Sequence, residues 1–209
     1  MTVRSVSLCR NLKYMSKGEE TRQFIIEKAA PIFNVKGIEA TAMSDIMEAT
    51  KLSKGSLYVH FKDKEDLTQA VVEYNLERLA RKVSAATSKV QTAKEKLFVF
   101  IDLLTDVLNP PVTGGCPIIN FGMEADDTNP LVNQRIHKAT ENIQKIIADI
   151  IKQGIKAGEF RADWNYKEFA TFMFAAIEGG IIISRVAGNN NKVKIVTNYL
   201  KQLIIEQQT

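Results

Sequence analysis

An all-α fold of about nine helices is predicted for this chain, a small amino-terminal three-helix unit (residues 16–64) followed by a larger helical unit (residues 65–209). Three observations predict it. Apolar residues recur at three- and four-residue spacing along nearly the whole sequence. Polar caps precede those runs, as in Ser16-x-x-Glu19 and Thr92-x-x-Glu95. Glycine and proline interrupt them at Gly37, Pro110-Pro111, Pro130, Gly158 and Gly188.

At 209 residues, 45% hydrophobic and 25% charged, the chain has the composition of a globular protein with a sizeable core. Cys9 and Cys116 make neither a disulfide framework nor a zinc spacing, which suits a reducing cytoplasm. Residues 1–15 fit no helical period. They are read either as a basic arm carrying Arg4, Arg10 and Lys13 or as an extension ahead of a start at Met15, and Val3 to Leu12 is too interrupted by charge for a signal peptide.

The first helix, about Lys17 to Val35, shows Ile25, Ile26, Ala29, Ile32 and Phe33 on one face, tolerates Pro31 with a bend, and stops at Gly37. Thr41 is placed to cap a second helix over Ala42 to Ala49, with Met43, Ile46 and Met47 inward. After the break at Thr50-Lys51-Leu52, Ser53 caps a short third helix whose Leu57 and Phe61 lie on one face. Burying those two leaves Lys54, Ser56, Tyr58, Val59, His60 and Lys62 pointing toward solvent or a partner. Two short helices joined by a tight turn, with aromatics and lysines left outside, read as a DNA-reading helix-turn-helix.

Charge agrees. Residues 1–64 hold 11 Lys+Arg against 7 Asp+Glu, whereas residues 65–209 hold 17 of each. From Lys51 to Lys64 four lysines face a single acid, Asp63, a balance suited to neutralising phosphates.

The run Gly37-Ile38-Glu39-Ala40-Thr41, then Asp45-Ile46, then Leu52-Ser53-Lys54-Gly55-Ser56-Leu57-Tyr58-Val59-His60-Phe61-Lys62-Asp63-Lys64-Glu65-Asp66-Leu67 resembles the tetracycline-repressor-like (TetR) transcriptional regulators, closely over residues 18–70 and beyond them as a pattern of helices. The resemblance implies that Ser53 to Phe61 is the recognition helix. It places Lys54, Gly55, Ser56 and Val59 near base edges, Tyr58, His60 and Lys64 on phosphates, and Thr41 and Met43 against the DNA backbone. The chain departs from the pattern at Lys51, where the turn usually holds glycine, at Ser44, where arginine is common, and at Val59, where an aromatic is common.

Asp63 caps a long fourth helix from Lys64 to about Thr87 that joins the two units. A fifth opens at Thr92 with Leu97, Phe98, Ile101, Leu104 and Leu108 inward and ends at Asn109-Pro110. Cys116-Pro117 begins a short sixth, Asn129-Pro130 a long seventh, and Asn165-x-x-Glu168 an eighth. Phe169 to Ile183 is apolar on all sides but is 15 residues long and interrupted by Glu178, short of the roughly 20 a bilayer requires, so a second subunit is expected to cover one side. The ninth carries Val193, Val196, Leu200, Leu203 and Ile204, spaced like a coiled-coil seam. A homodimer through the last two helices, about 165–187 and 191–206, follows, and its two-fold symmetry calls for an inverted-repeat operator in double-stranded DNA.

An apolar cavity for a small hydrophobic effector is expected in the larger unit, lined by Phe98, Ile101, Cys116, Phe121, Met123, Phe172 and Phe174, with Asn120, Glu124 or Glu178 as polar anchors. Cys116 at a helix start is also a candidate thiol sensor of oxidants or electrophiles. A further alternative is a dimeric DNA-binding adaptor without an effector. An enzyme is disfavoured: His60 and His137 are the two histidines, and there is neither a phosphate-binding glycine loop nor a metal-ligand spacing, so no cofactor or metal is expected.

Overall fold

The structure, a computed structural model, describes residues 16–209. The arm or extension at residues 1–15, with Arg4, Cys9, Arg10, Lys13 and Met15, lies outside the described residues. Nine helices make up the rest: α1 (Lys17–Lys36), α2 (Met43–Thr50), α3 (Lys54–His60), α4 (Lys64–Thr87), α5 (Ala93–Thr105), α6 (Pro117–Ala125), α7 (Pro130–Lys156), α8 (Tyr166–Ala187) and α9 (Asn191–Ile205).

Local chemistry sets most of these boundaries. Ser16 and Glu19 form the capping box of α1, Thr92 and Glu95 that of α5, and Asp63 caps α4 by accepting the Asp66 amide at 2.8 Å. At α5 the carboxylate of Glu159 joins in, accepting the Ala93 amide at 2.8 Å. Helix α1 runs unbroken through Pro31, and its face of Ile25, Ile26, Ala29 and Phe33 is buried against α2, α3 and α4.

Two expectations are corrected. Helix α5 ends at Thr105, ahead of the prolines, because the Asp106 carboxylate accepts the amides of Leu108 at 3.2 Å and Asn109 at 3.3 Å and turns the chain there. Leu108 is therefore exposed instead of inward. The seam of α9 is the second correction: Val193, Leu200 and Ile204 are buried inside their own chain, against α8 and α5. Gly180 permits this closeness, since a Cβ there would stand 3.1 Å from Val193 Cγ2. The periodicity was that of an internal helix pair.

What α8 and α9 leave outside is a different stripe. Phe172, Ala175, Gly179, Ile182, Ile183 and Val186 of α8 are exposed on one side, with Ile195 and Tyr199 of α9 also exposed, while Met173, Ile177 and Ile181 of α8 face the core. Val186 is 87% exposed.

Candidate functional site

The amino-terminal head is built so that its third helix stands proud. Ser53 Oγ accepts the Ser56 amide at 3.2 Å and starts α3. Leu57 and Phe61 are fully buried and hold the helix down, with the Arg22 guanidinium of α1 lying 4.6 Å over the Phe61 ring. With those two inward, no other described residue covers the opposite face. Tyr58 is 42% and Val59 79% exposed, Lys54, Gly55 and Lys62 are exposed beside them, and Ser56 and His60 are half-buried. Lys54 Nζ hangs 5.9 Å from the Tyr58 ring centre. The one acid of this stretch, Asp63, is occupied in capping α4.

Thr41, Met43 and Lys64 are expected at the same surface; the structure withdraws the Thr41 side chain from it and gives Met43 and Lys64 contacts within the protein. Thr41 is 1% exposed and its hydroxyl donates to the Gly37 carbonyl at 2.6 Å, so it closes the end of α1 and neither caps α2 nor reaches a phosphate. The residue before α2 is Ala42, whose amide is held by Asp45 at 2.9 Å, and Lys36 pairs with the same carboxylate at 2.8 Å. The hydrogen bond from Lys36, then that from Ala42, keeps Asp45 below the usual carboxylate range. Met43 is half-buried against the core. Lys64 is half-buried and donates from Nζ to the Glu39 carbonyl at 3.2 Å, pinning the first turn of α4 to the segment before α2.

Lys51 takes the left-handed conformation, φ 58° and ψ 24°, alone among the described non-glycine residues in having positive φ. The turn keeps its shape and lysine bears the strain. The charge argument narrows as well: Arg4, Arg10 and Lys13 lie outside the described residues, and residues 16–64 hold 8 Lys+Arg against 7 Asp+Glu. The positive character is local, concentrated from Lys51 to Lys64.

A second cluster, which periodicity did not reveal, ties the head to α6. Glu124, expected as a ligand anchor, instead accepts the amides of Ile38 and Glu39 at 2.6 Å each. Gly37, at φ 90°, is the residue that allows this approach, since a Cβ there would lie 2.9 Å from Glu124 Oε2. Asn120, the other expected anchor, donates to the carbonyls of Asn34 and Gly114 at 2.9 Å, and buried Asn34 donates back to the Thr113 and Gly115 carbonyls at 2.8 and 3.0 Å. Asn129 at the start of α7 reaches the Glu65 carboxylate of α4 at 3.2 Å.

Of the expected effector residues, Cys116, Asn120 and Glu178 line one pocket between α6 and α8, and the others do not gather there. Ile101, Phe121 and Phe174 are buried core, Phe98 is half-buried under the Lys201 ammonium at 5.2 Å, Met123 is exposed, and Phe172 lies on the outward stripe of α8. A cleft of about 640 Å³ opens elsewhere, between α4 and α7, with apolar walls of Leu76, Leu79, Ala80, Ile118, Ile143 and Ile146 and a polar edge of Glu73, Glu77, Gln134, Arg135 and Asn142. Cys116 and Glu178 do meet: the Cys116 thiol donates to Glu178 Oε1 at 3.0 Å. Burial first, then the neighbouring Glu178 charge, drives the thiol well above its ordinary range; the amides of Ile119 and Ile118 at the start of α6 pull it down but lose. A thiol held protonated is a poor nucleophile, so the expected activation of Cys116 is corrected.

Comparison with known proteins places both parts of the chain. Residues 25–71 match the model of bacterial regulatory proteins of the tetR family, and residues 93–200 match that of the tetracyclin repressor-like C-terminal domain. A TetR-family transcriptional regulator from Cytophaga hutchinsonii superposes with a TM-score of 0.88 at 38% identity, covering 94% of this chain and 99% of that one. The HTH-type transcriptional repressor DhaR of Mycobacterium sp. (strain GP1) is 26% identical over 169 residues, 80% of this chain and 84% of its own. A cysteine-substituted mutant of the TetR-family regulator CifR, solved on a 26-base-pair double-strand operator, shares the fold at TM-score 0.74 and 17% identity, with coverage of 86% of this chain and 94% of that one.

Proposed function

The chain belongs to the TetR family of transcriptional regulators, and from that premise we propose that it is a ligand-responsive repressor that grips an inverted-repeat operator as a homodimer and is released by a small hydrophobic effector. The head comprises residues 16–64 and the effector-binding and dimerising unit residues 65–209. The observation that carries the reading is the uncovered face of α3, where Tyr58 and Val59 stand exposed beside Lys54 over a buried Leu57–Phe61 base. An aromatic and a valine held in water beside a lysine suit a DNA groove: Lys54, Gly55, Ser56 and Val59 reach base edges, and Tyr58, His60 and Lys62 reach phosphates. Lys64 contributes with the donors that Glu39 leaves free.

The apolar stripe of Phe172, Gly179, Ile182 and Val186 on α8, with Ile195 and Tyr199 of α9, supports pairing of two copies through these helices. Two-fold pairing sets the recognition helices about 34 Å apart, in successive major grooves. The cleft between α4 and α7 supports an effector-sensing role over that of an adaptor with a solid core, and its wall, α4, is the helix that begins at the head. DNA in the cytoplasm is the partner throughout.

Selection of bound duplexes from a random pool tests this directly, followed by operator titration against salt. An inverted repeat should emerge, log affinity should fall steeply with log salt, and Lys54→Ala should weaken binding and change which bases are tolerated at one position of each half-site. A single unrepeated site, or affinity indifferent to salt, refutes it.

A further inference from the structure

Midway along α8 sits a buried carboxylate that is only half answered. Glu178 is 4% exposed, one of its oxygens accepts the Cys116 thiol at 3.0 Å, and the other, Oε2, has no hydrogen-bond partner among the described residues. A buried carboxylate oxygen left unpaired is costly, and its natural complement is a charged donor. Glu178 borders a pocket of about 200 Å³ between α6 and α8, with Ile119, Ile181, Ile182 and Val186 as apolar walls, the last two shared with the outward stripe of α8. Arg185, which also lines the pocket, is exposed and lies over Gly115, where any Cβ would stand 2.4 Å from its Nη1. The pocket is thus lined by one buried carboxylate, an exposed guanidinium, a thiol and an asparagine among apolar side chains. It shares none of its residues with the larger α4–α7 cleft.

We propose that this pocket binds a small apolar amine, whose ammonium N–H fills Glu178 Oε2 while its hydrocarbon part lies against Ile119, Ile181 and Ile182. An anion meets the carboxylate and is repelled, and a pure hydrocarbon leaves Oε2 unanswered. The titratable groups facing Glu178 are Cys116 from the start of α6 and Arg185 from its own helix. The other segments packed around it, from α4, α5 and the loop after α5, present Leu79, Leu104, Val107, Pro110 and Pro111. Burial raises Glu178 to about 7, so amine binding must draw off a proton at lower pH.

Calorimetric titration of the full chain with benzylamine, and with benzyl alcohol as the uncharged control, between pH 6 and 8 tests the site. Wild type should bind benzylamine saturably, about tenfold more weakly for each pH unit below about 7, and benzyl alcohol far less. Glu178→Gln, checked for an intact melting transition, should lose at least tenfold in benzylamine affinity. Equal binding by Glu178→Gln, affinity that rises as pH falls, no heat up to millimolar amine at pH 8, or a partner-subunit side chain seated on Oε2 in the dimer would each overturn the assignment. Operator binding without amine is read separately and plays no part in the result.

Discussion

Replacing Glu124 by glutamine isolates the bracket between α6 and the head. The change keeps the side-chain shape but removes the charge and turns one acceptor oxygen into an NH2 group, which then faces an amide that needs an acceptor. Both amides, of Ile38 and Glu39, now lie 2.6 Å from the carboxylate. Hydrogen bonds to a charged group contribute about 1.5–3 kcal/mol each when desolvated and less in water. The Ile38 amide is partly buried and that of Glu39 is exposed, so the pair together is expected to lose about 2–4 kcal/mol. Urea unfolding should register that loss, and hydrogen exchange read by NMR should show it at the bracket, with the Ile38 and Glu39 amides exchanging on the order of a hundredfold faster. If Glu124→Gln unfolds within about 0.5 kcal/mol of wild type and both amides keep their exchange rates, the carboxylate is not what ties α6 to the head.

Three further outcomes follow from other positions. Lys51→Gly should stabilise the chain by about 1 kcal/mol, read as a higher Tm, because glycine adopts the left-handed turn without strain; an unchanged or lower Tm refutes the strain. Val186→Asp puts a charge at the carboxy-terminal end of the α8 stripe and should weaken dimerisation by at least about a hundredfold in sedimentation while leaving helicity intact; a mutant that dimerises normally places the interface elsewhere. The third concerns pH. Folding raises Glu178 from 4.5 to about 7, so the folded state keeps its proton longer than the unfolded chain does, and stability is full below 4.5 and declines as pH rises to about 7. The loss is on the order of 3 kcal/mol; relative to wild type, Glu178→Gln should show that part of the decline between pH 5 and 8 abolished, and parallel curves would remove the burial argument.

The head was legible because its determinants are local. Ser16 with Glu19, Ser53 and Asp63 each satisfy amides within three or four residues, so their helix starts can be read from a line of text. Thr41 was misread because its hydroxyl had two backbone targets and chose the one behind it, the carbonyl of Gly37. The Glu124 bracket spans 86 residues and the hydrogen bond from Asn120 to Asn34 the same distance, and no periodicity encodes such a meeting. The α9 repeat was visible, but a repeat states that one side of a helix is covered without saying whether the cover is α8 of the same chain or a second copy. Three of the expected effector residues are core for a related reason: Ile101, Phe121 and Phe174 fill a core as readily as they line a void, and only their packing decides which.

Helix α4 is 24 unbroken residues, roughly 36 Å from end to end, held at one extremity by Lys64 and Glu39 and flanked along its length by the α4–α7 cleft. A rod of that length magnifies angles: a swing of about 5° about the far pivot carries the other tip some 3 Å, close to the 3.4 Å step between stacked base pairs. Nothing has to melt for the grip on an operator to be lost; an inclination too small to disturb the packing of α1 is already one rung of the DNA ladder.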